Sequence, residues 1–139
     1  MDGAIEVLHV DDDEALLDIV ATFLERADDR IHVTSEHDPT AALERVEAGT
    51  FDCVVSDYLM PGMDGLELLD RLQTGHPSLP VVLFTGVDDV DVAVAAIERG
   101  AVDCYRKRPG TEHYRVLAAR IVAAVERRRE HTTPHVSED

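Results

Sequence analysis

Residues 52–65 read DCVVSDYLMPGMDG. The short β-branched run Asp52 to Ser56 predicts a strand that runs out into Asp57, and Asp64 then stands before Leu66 and Leu69 as the cap of a helix. The same unit repeats outward in both directions. Further strands are predicted at Ile5 to Val10, Ile31 to Ser35, Pro80 to Phe84 and Val102 to Arg106. Between them, Asp13 precedes Leu16, Val20, Phe23 and Leu24, and Asp38 with Pro39 opens a segment that Gly49 closes. Asp88 or Asp89 precedes Val90, Ala93, Val94 and Ile97, with Gly100 behind them. A last helix is predicted from about Thr111 to Arg129, with Tyr114, Leu117, Ala118, Ile121 and Val125 on one stripe. Strand and helix alternate five times, the pattern of a parallel sheet covered on both faces rather than of a sandwich or a bundle.

By analogy with doubly wound, flavodoxin-like (βα)5 folds, the expected α/β architecture is a five-stranded parallel sheet of order 2-1-3-4-5. Strands 1 and 3 then lie side by side, and a crevice opens beyond their carboxyl ends. That order also keeps the two cysteines apart. Cys53 and Cys104 would sit on strands separated by strand 4, at twice the ~4.8 Å strand spacing and beyond the ~7 Å reach of a disulfide, so both are expected to be free thiols.

The chain has 139 residues, enough for one domain with a single core, and 45% of them are hydrophobic. No apolar run approaches the roughly 18 residues of a membrane span, and the opening Met1, Asp2, Gly3, Ala4 carries no secretory pattern, so a cytoplasmic protein is expected. Thirteen basic against 29 acidic residues leave a net charge of −16, which repels phosphate backbones and argues against direct nucleic-acid binding. Lys107 is the one lysine among those 13 basic residues, an acid-rich, lysine-poor balance that resembles proteins of a high-salt cytoplasm; an acidic surface that aids solubility has the same composition. Arg127, Arg128 and Arg129 suit the negative end of the last helix, a basic patch for a partner being the other reading. Beyond them the periodicity stops and Pro134 follows, so residues 1–129 are expected to form the domain and 130–139 a disordered tail or linker.

The crevice gathers acids. The first strand runs out into Asp11, Asp12 and Asp13, the third into Asp57. Asp13, immediately ahead of the helical pattern, reads as an N-cap, whereas Asp11, Asp12 and Asp57 form an oxygen-only set that suits Mg²⁺ or Mn²⁺. The fourth strand ends at Thr85 before Gly86, and the fifth leads into Lys107. Carboxylates, a divalent cation, a hydroxyl and an ammonium together suit phosphoryl transfer to a carboxylate nucleophile, with the cations neutralising the phosphoryl oxygens. His9, polar within a central strand, is expected to be a hydrogen-bonded core histidine rather than a phosphate carrier.

Four stretches, Leu8 to Asp13 (LHVDDD), Asp52 to Gly65 (DCVVSDYLMPGMDG), Val81 to Gly86 (VVLFTG) and Gly100 to Lys107 (GAVDCYRK), resemble the receiver domain of response regulators in two-component signalling. The resemblance runs over about residues 4–127, and the family includes the single-domain chemotaxis regulator. It implies that Asp57 is the phosphoacceptor and that Asp11, Asp12, Asp57 and the main-chain carbonyl of Leu59 hold the metal. Thr85 would be the switch hydroxyl and Lys107 the phosphoryl partner. A phosphohistidine on a sensor histidine kinase would be the donor. The face made by helix 4, strand 5 and helix 5 would meet a downstream effector protein or domain, or a second copy of the chain in a homodimer. Such a domain signals, catalysing only its own phosphorylation and dephosphorylation. Leu59 and Val87, apolar two residues beyond Asp57 and Thr85, imply slow self-hydrolysis.

One segment departs from the family pattern. Arg108 separates Lys107 from Pro109, where a Lys-Pro pair is usual. Counting without a gap from Gly100 selects Lys107, the preferred reading, and puts Cys104 at the switch-aromatic position with Tyr105 turned to the opposite face by strand alternation; anchoring on Pro109 puts Arg108 in the lysine role and Tyr105 in the aromatic one. Two further functions compete with the switch: a pseudo-receiver that binds partners without phosphorylation, and an Asp-nucleophile phosphohydrolase. In the latter, Glu14-Ala15 stands where Gly-Thr or Gly-Val is expected.

Overall fold

A computed structural model describes residues 3–132. Five strands, β1 (Ile5–Val10), β2 (Ile31–Glu36), β3 (Cys53–Ser56), β4 (Val81–Thr85) and β5 (Asp103–Arg106), alternate with five helices, α1 (Glu14–Ala27), α2 (Pro39–Ala48), α3 (Gly65–Gly75), α4 (Val90–Glu98) and α5 (His113–Thr132). The strands form one parallel sheet in the order β2-β1-β3-β4-β5, as the alternation predicts.

Local chemistry sets the helix starts. Asp13, Asp38 and Asp64 each accept a backbone N–H from the first turn of α1, α2 and α3, satisfying donors that the helix itself leaves unpaired. Of the two candidates before α4, Asp89 is the cap, accepting from Asp91 N, while Asp88 turns to the Arg106 guanidinium at 3.2 Å. Gly100 follows α4 with φ +106°, and a Cβ there would come within 2.8 Å of the Gln73 side chain. The strand ends differ from expectation by single residues. β4 begins after Pro80, which has no N–H to give the ladder, and Asp52 spends its carboxylate on the Glu6 amide at 2.8 Å just before β3. Helix α5 starts at His113 rather than Thr111 and continues to Thr132, so residues 130–132 belong to the helix and not to a tail. The remainder of the expected tail, 133–139, lies outside the described residues, as do Met1 and Asp2.

Alternation along the strands splits the core in two. Leu8, Val10, Val54, Val81 and Leu83 pack under α2, α3 and α4, with Leu68, Leu69 and Leu72 of α3 buried among them. Ile5, Val7, Val55, Val82, Phe84 and Tyr105 face α1 and α5. Cys53 is buried and Cys104 half-buried, both free thiols as the strand order requires, and burial pushes the Cys53 thiol up to about 12. Among the described residues no helix is long and apolar enough to cross a membrane.

Candidate functional site

Strands β1 and β3 end side by side, Val10 opposite Ser56, which brings the residues that follow each of them to one place. The Asp57 amide donates to the Val10 carbonyl at 3.0 Å, tying the two exits together. Asp11, Asp12 and Asp57 each present a carboxylate oxygen, and these oxygens lie within 4.8 Å of one another. Asp11 is fully buried and Asp57 nearly so, whereas Asp12 is exposed at the mouth. Asp13 stands apart as the α1 cap, its own amide donating to Asp11 Oδ1 at 2.9 Å.

The fifth strand closes the site. The Lys107 amide bonds to the Thr85 carbonyl at 2.8 Å, continuing the β4–β5 ladder by one step. Its Nζ donates to Asp11 Oδ2 at 2.7 Å and lies 3.2 Å from Asp57 Oδ2. Arg108 is exposed beside it, and the ammonium among the acids is that of Lys107. Asp57 Oδ1 accepts from the Tyr58 amide at 2.7 Å, which orients the carboxylate. Burial pushes the Asp57 carboxyl above its ordinary value; the Lys107 charge opposes that shift and the Asp11 charge reinforces it. For Lys107, burial pulls downward, but the hydrogen bond to Asp11 and the charges of Asp57 and Asp11 outweigh it and hold the ammonium above its usual range.

One ammonium faces three carboxylates, two of them buried. Like charges so placed raise one another's energy unless another cation joins them, and an oxygen-only set open to solvent at Asp12 fits a hard divalent ion that keeps water ligands. The residues therefore fit Mg²⁺. Leu59 is 60% exposed on the loop just beyond Asp57.

Thr85 closes β4 on the α4 side of the sheet, 2% exposed, with its Oγ1 accepting from the Val87 amide at 3.1 Å. A cavity of about 140 Å³ adjoins it, lined by Thr85, Val87, Val92, Ala93, Cys104 and Arg106. The β5 side chains on that cavity are Cys104 and Arg106, neither of them aromatic. Tyr105 points to the opposite face, buried against the Phe84 ring and donating its hydroxyl to the His113 carbonyl at 3.3 Å. The alternative that made Tyr105 the partner of Thr85 is thus corrected: strand alternation separates them.

His9 is buried in β1 as expected, but neither ring nitrogen has a hydrogen-bond partner, which corrects the satisfied-histidine expectation. The Phe84 ring lies 6.4 Å from it on that face. Burial, with a contribution from Lys107, lowers its pKa to about 3, so the ring is neutral. Sequence reading also missed Phe84, whose ring centroid lies 5.7 Å from Lys107 Nζ. The available signal was composition: the chain holds three Phe and three Tyr, so any aromatic beside a site strand is informative.

The family model described as response regulator receiver domain matches residues 7–118. The transcriptional regulatory protein FixJ of Bradyrhizobium diazoefficiens is 41% identical over 98 residues, covering 70% of this chain and 47% of FixJ. The DNA-binding transcriptional regulator NtrC of Escherichia coli is 38% identical over 100 residues, 72% of this chain and 21% of NtrC. The chain therefore spans less than half the length of either relative. Among solved structures, the receiver domain of NtrX from Brucella abortus superposes with a TM-score of 0.75 at 32% identity, covering 84% of this chain and 98% of that one. A CheY-like receiver domain from Methanospirillum hungatei reaches a TM-score of 0.82 over 92% of this chain at 24% identity, a likeness of fold.

Proposed function

The chain belongs to the response-regulator receiver domains of two-component signalling, and from that premise we propose that Asp57 is its phosphoacceptor. The observation that carries the reading is the Lys107 ammonium set between Asp11 and Asp57 at 2.7 and 3.2 Å, with Asp12 at the open side. An Asp57 carboxylate oxygen attacks the phosphorus of a phosphohistidine on a sensor histidine kinase. The new O–P bond forms as the P–N bond breaks, and the imidazole leaves as the neutral ring once it holds its proton.

Each neighbouring side chain has a part in this reading. The Tyr58 amide holds one Asp57 oxygen, so the carboxylate meets the donor in a fixed orientation. Lys107 moves its Nζ from the carboxylates to a phosphoryl oxygen, where its charge is worth most as the transferred group gains negative charge. Thr85 Oγ1 already accepts from Val87 N, which leaves its own proton for a phosphoryl oxygen. Asp11, Asp12, Asp57 and the Leu59 carbonyl would hold Mg²⁺ or Mn²⁺, which when bound neutralises charge on the phosphoryl oxygens. Leu59 and Val87 offer no polar group to direct a water at the acyl phosphate, which favours a long-lived adduct.

The downstream surface in this reading is α4 with β5 and α5. Val90, Val94 and Ile97 are exposed along one side of α4, 75%, 48% and 51% respectively, a stripe suited to an effector protein or domain or to a second copy of the chain. No turnover of a metabolite is proposed.

Incubation with Mg²⁺ and acetyl phosphate, followed by intact mass of the wild type and Asp57→Asn, tests the assignment. A stable phosphoryl adduct in the wild type alone is the expected result. Phosphate release without an adduct would favour a phosphohydrolase, and no reaction a pseudo-receiver; either outcome removes Asp57 from the role.

A further inference from the structure

Four of the few aromatic rings, Phe23, Phe84, Tyr105 and Tyr114, gather on the α1/α5 face directly behind the acidic site. Phe84 is their hub, and it touches the chemistry: Lys107 Nζ lies 5.7 Å from its centroid. Tyr105 stacks on Phe84 with centroids 6.1 Å apart and planes 16° from parallel. Tyr105 in turn carries the Arg120 guanidinium, 4.8 Å from its ring centroid. Arg120 is held there by a 2.7 Å ion pair with Asp103 and stands 44% exposed on α5. The Tyr105 ring is 8% exposed, packed between the Phe84 ring and the Arg120 guanidinium.

A half-buried cation at one end of a two-ring stack and a surface cation at the other form a continuous set of contacts from the site to α5. Cations are attracted to the negative faces of aromatic rings, and the attraction is strongest where water is excluded, as it is around Phe84. A phosphoryl group on Asp57 would draw Lys107 Nζ off the two carboxylates and change its position over the Phe84 ring. On the other face of the sheet, by contrast, the position beside Thr85 holds Cys104, which is too short to fill the adjoining cavity or to transmit a displacement by packing.

We propose that Phe84 is a positioning residue for Lys107, and that the phosphorylation state of the site is read out at Arg120 on α5 through the Phe84–Tyr105 stack. This rests on the phosphoacceptor assignment of Asp57. The surface concerned, Arg120 with Asp103 and the exposed edge of β5, differs from the apolar stripe on α4.

The test follows the Arg120 Nε–Hε resonance of the full chain by NMR during incubation with Mg²⁺ and acetyl phosphate, with intact mass measured on the same samples. In the wild type the resonance should shift in proportion to the adduct. Tyr105→Phe, which keeps the ring, should behave alike. In Phe84→Leu the adduct should form about two- to fivefold more slowly, the size of a lost cation–ring contact, and the Arg120 resonance should stay still. Should Phe84→Leu fail to fold, Arg120→Gln carries the test: the equilibrium affinity of the site for beryllofluoride should change by about two- to fivefold, because coupling between two sites is reciprocal. An adduct in the wild type with an unmoved Arg120 resonance, or an unchanged affinity in Arg120→Gln, overturns the readout alone. Absence of any adduct in the wild type overturns the phosphoacceptor assignment and the readout with it.

Discussion

The two faces of the sheet are built to different standards. Under α2, α3 and α4 the core is aliphatic, with Leu68, Leu69, Leu72 and Leu83 buried, and Met60 and Met63 filling its edge. Under α1 and α5 lie the stacked rings and two buried imidazoles, His9 and His113, with three ring nitrogens that have no hydrogen-bond partner. Unpaired buried polar atoms are destabilising, so the second face carries an energetic penalty within its apolar core. That penalty lies on the face whose Phe84 ring touches Lys107. The unpaired imidazoles and the ring beside Lys107 thus lie on one side of the five strands and the aliphatic layer on the other, with Thr85 ending β4 on the aliphatic side.

The sharpest challenge to this division is Leu68→Ala on the aliphatic face. Emptying a fully buried leucine position should cost about 2–5 kcal/mol of unfolding free energy. Acetyl phosphate labelling per folded molecule should nonetheless be unchanged, as measured by denaturant titration and intact mass. Slower labelling at full folding would mean that the faces are not independent.

A smaller effect is expected from acid. His9 takes up its proton near 6.5 when unfolded but only at about 3 in the fold, so between those values the unfolded chain binds the extra proton. Stability from this group is therefore present above the unfolded value and is lost as pH falls through the window, by on the order of a few kcal/mol. Thermal unfolding followed by circular dichroism from pH 7 to pH 4 should show a steeper loss in the wild type than in His9→Leu. Parallel curves would contradict a buried neutral imidazole.

The smallest effect distinguishes a penalty from a benefit at neutral pH. Replacing His9 with leucine removes two unpaired nitrogens and keeps most of the volume, so the melting temperature at pH 7 should hold or rise by about 2–6 °C. A fall of similar size would show that the imidazole has a partner in solution.

Much of this architecture is legible in the sequence. Asp13, Asp38 and Asp64 mark helix starts because a cap bonds to amides two or three residues away, and such chemistry needs no knowledge of the rest of the fold. The β-branched runs ending in Asp11 and Asp57 predicted both strands and the convergence of acids, since neighbouring parallel strands end on the same edge. The last helix was less legible at its ends, where Thr111, Glu112 and the arginines favour no sharp boundary.

The chain alone therefore determined the alternation of strand and helix and the order of the acids at the strand ends, which follow from local periodicity and from short-range capping, whereas the separation of the cysteines needed a strand order taken by analogy. The missing partners of His9 and the place of Phe84 under the ammonium were decided only in three dimensions. Each depends on which side chains of different strands share a face, and that is set by inter-strand register and packing across the sheet, to which a sequence window of a few residues is blind.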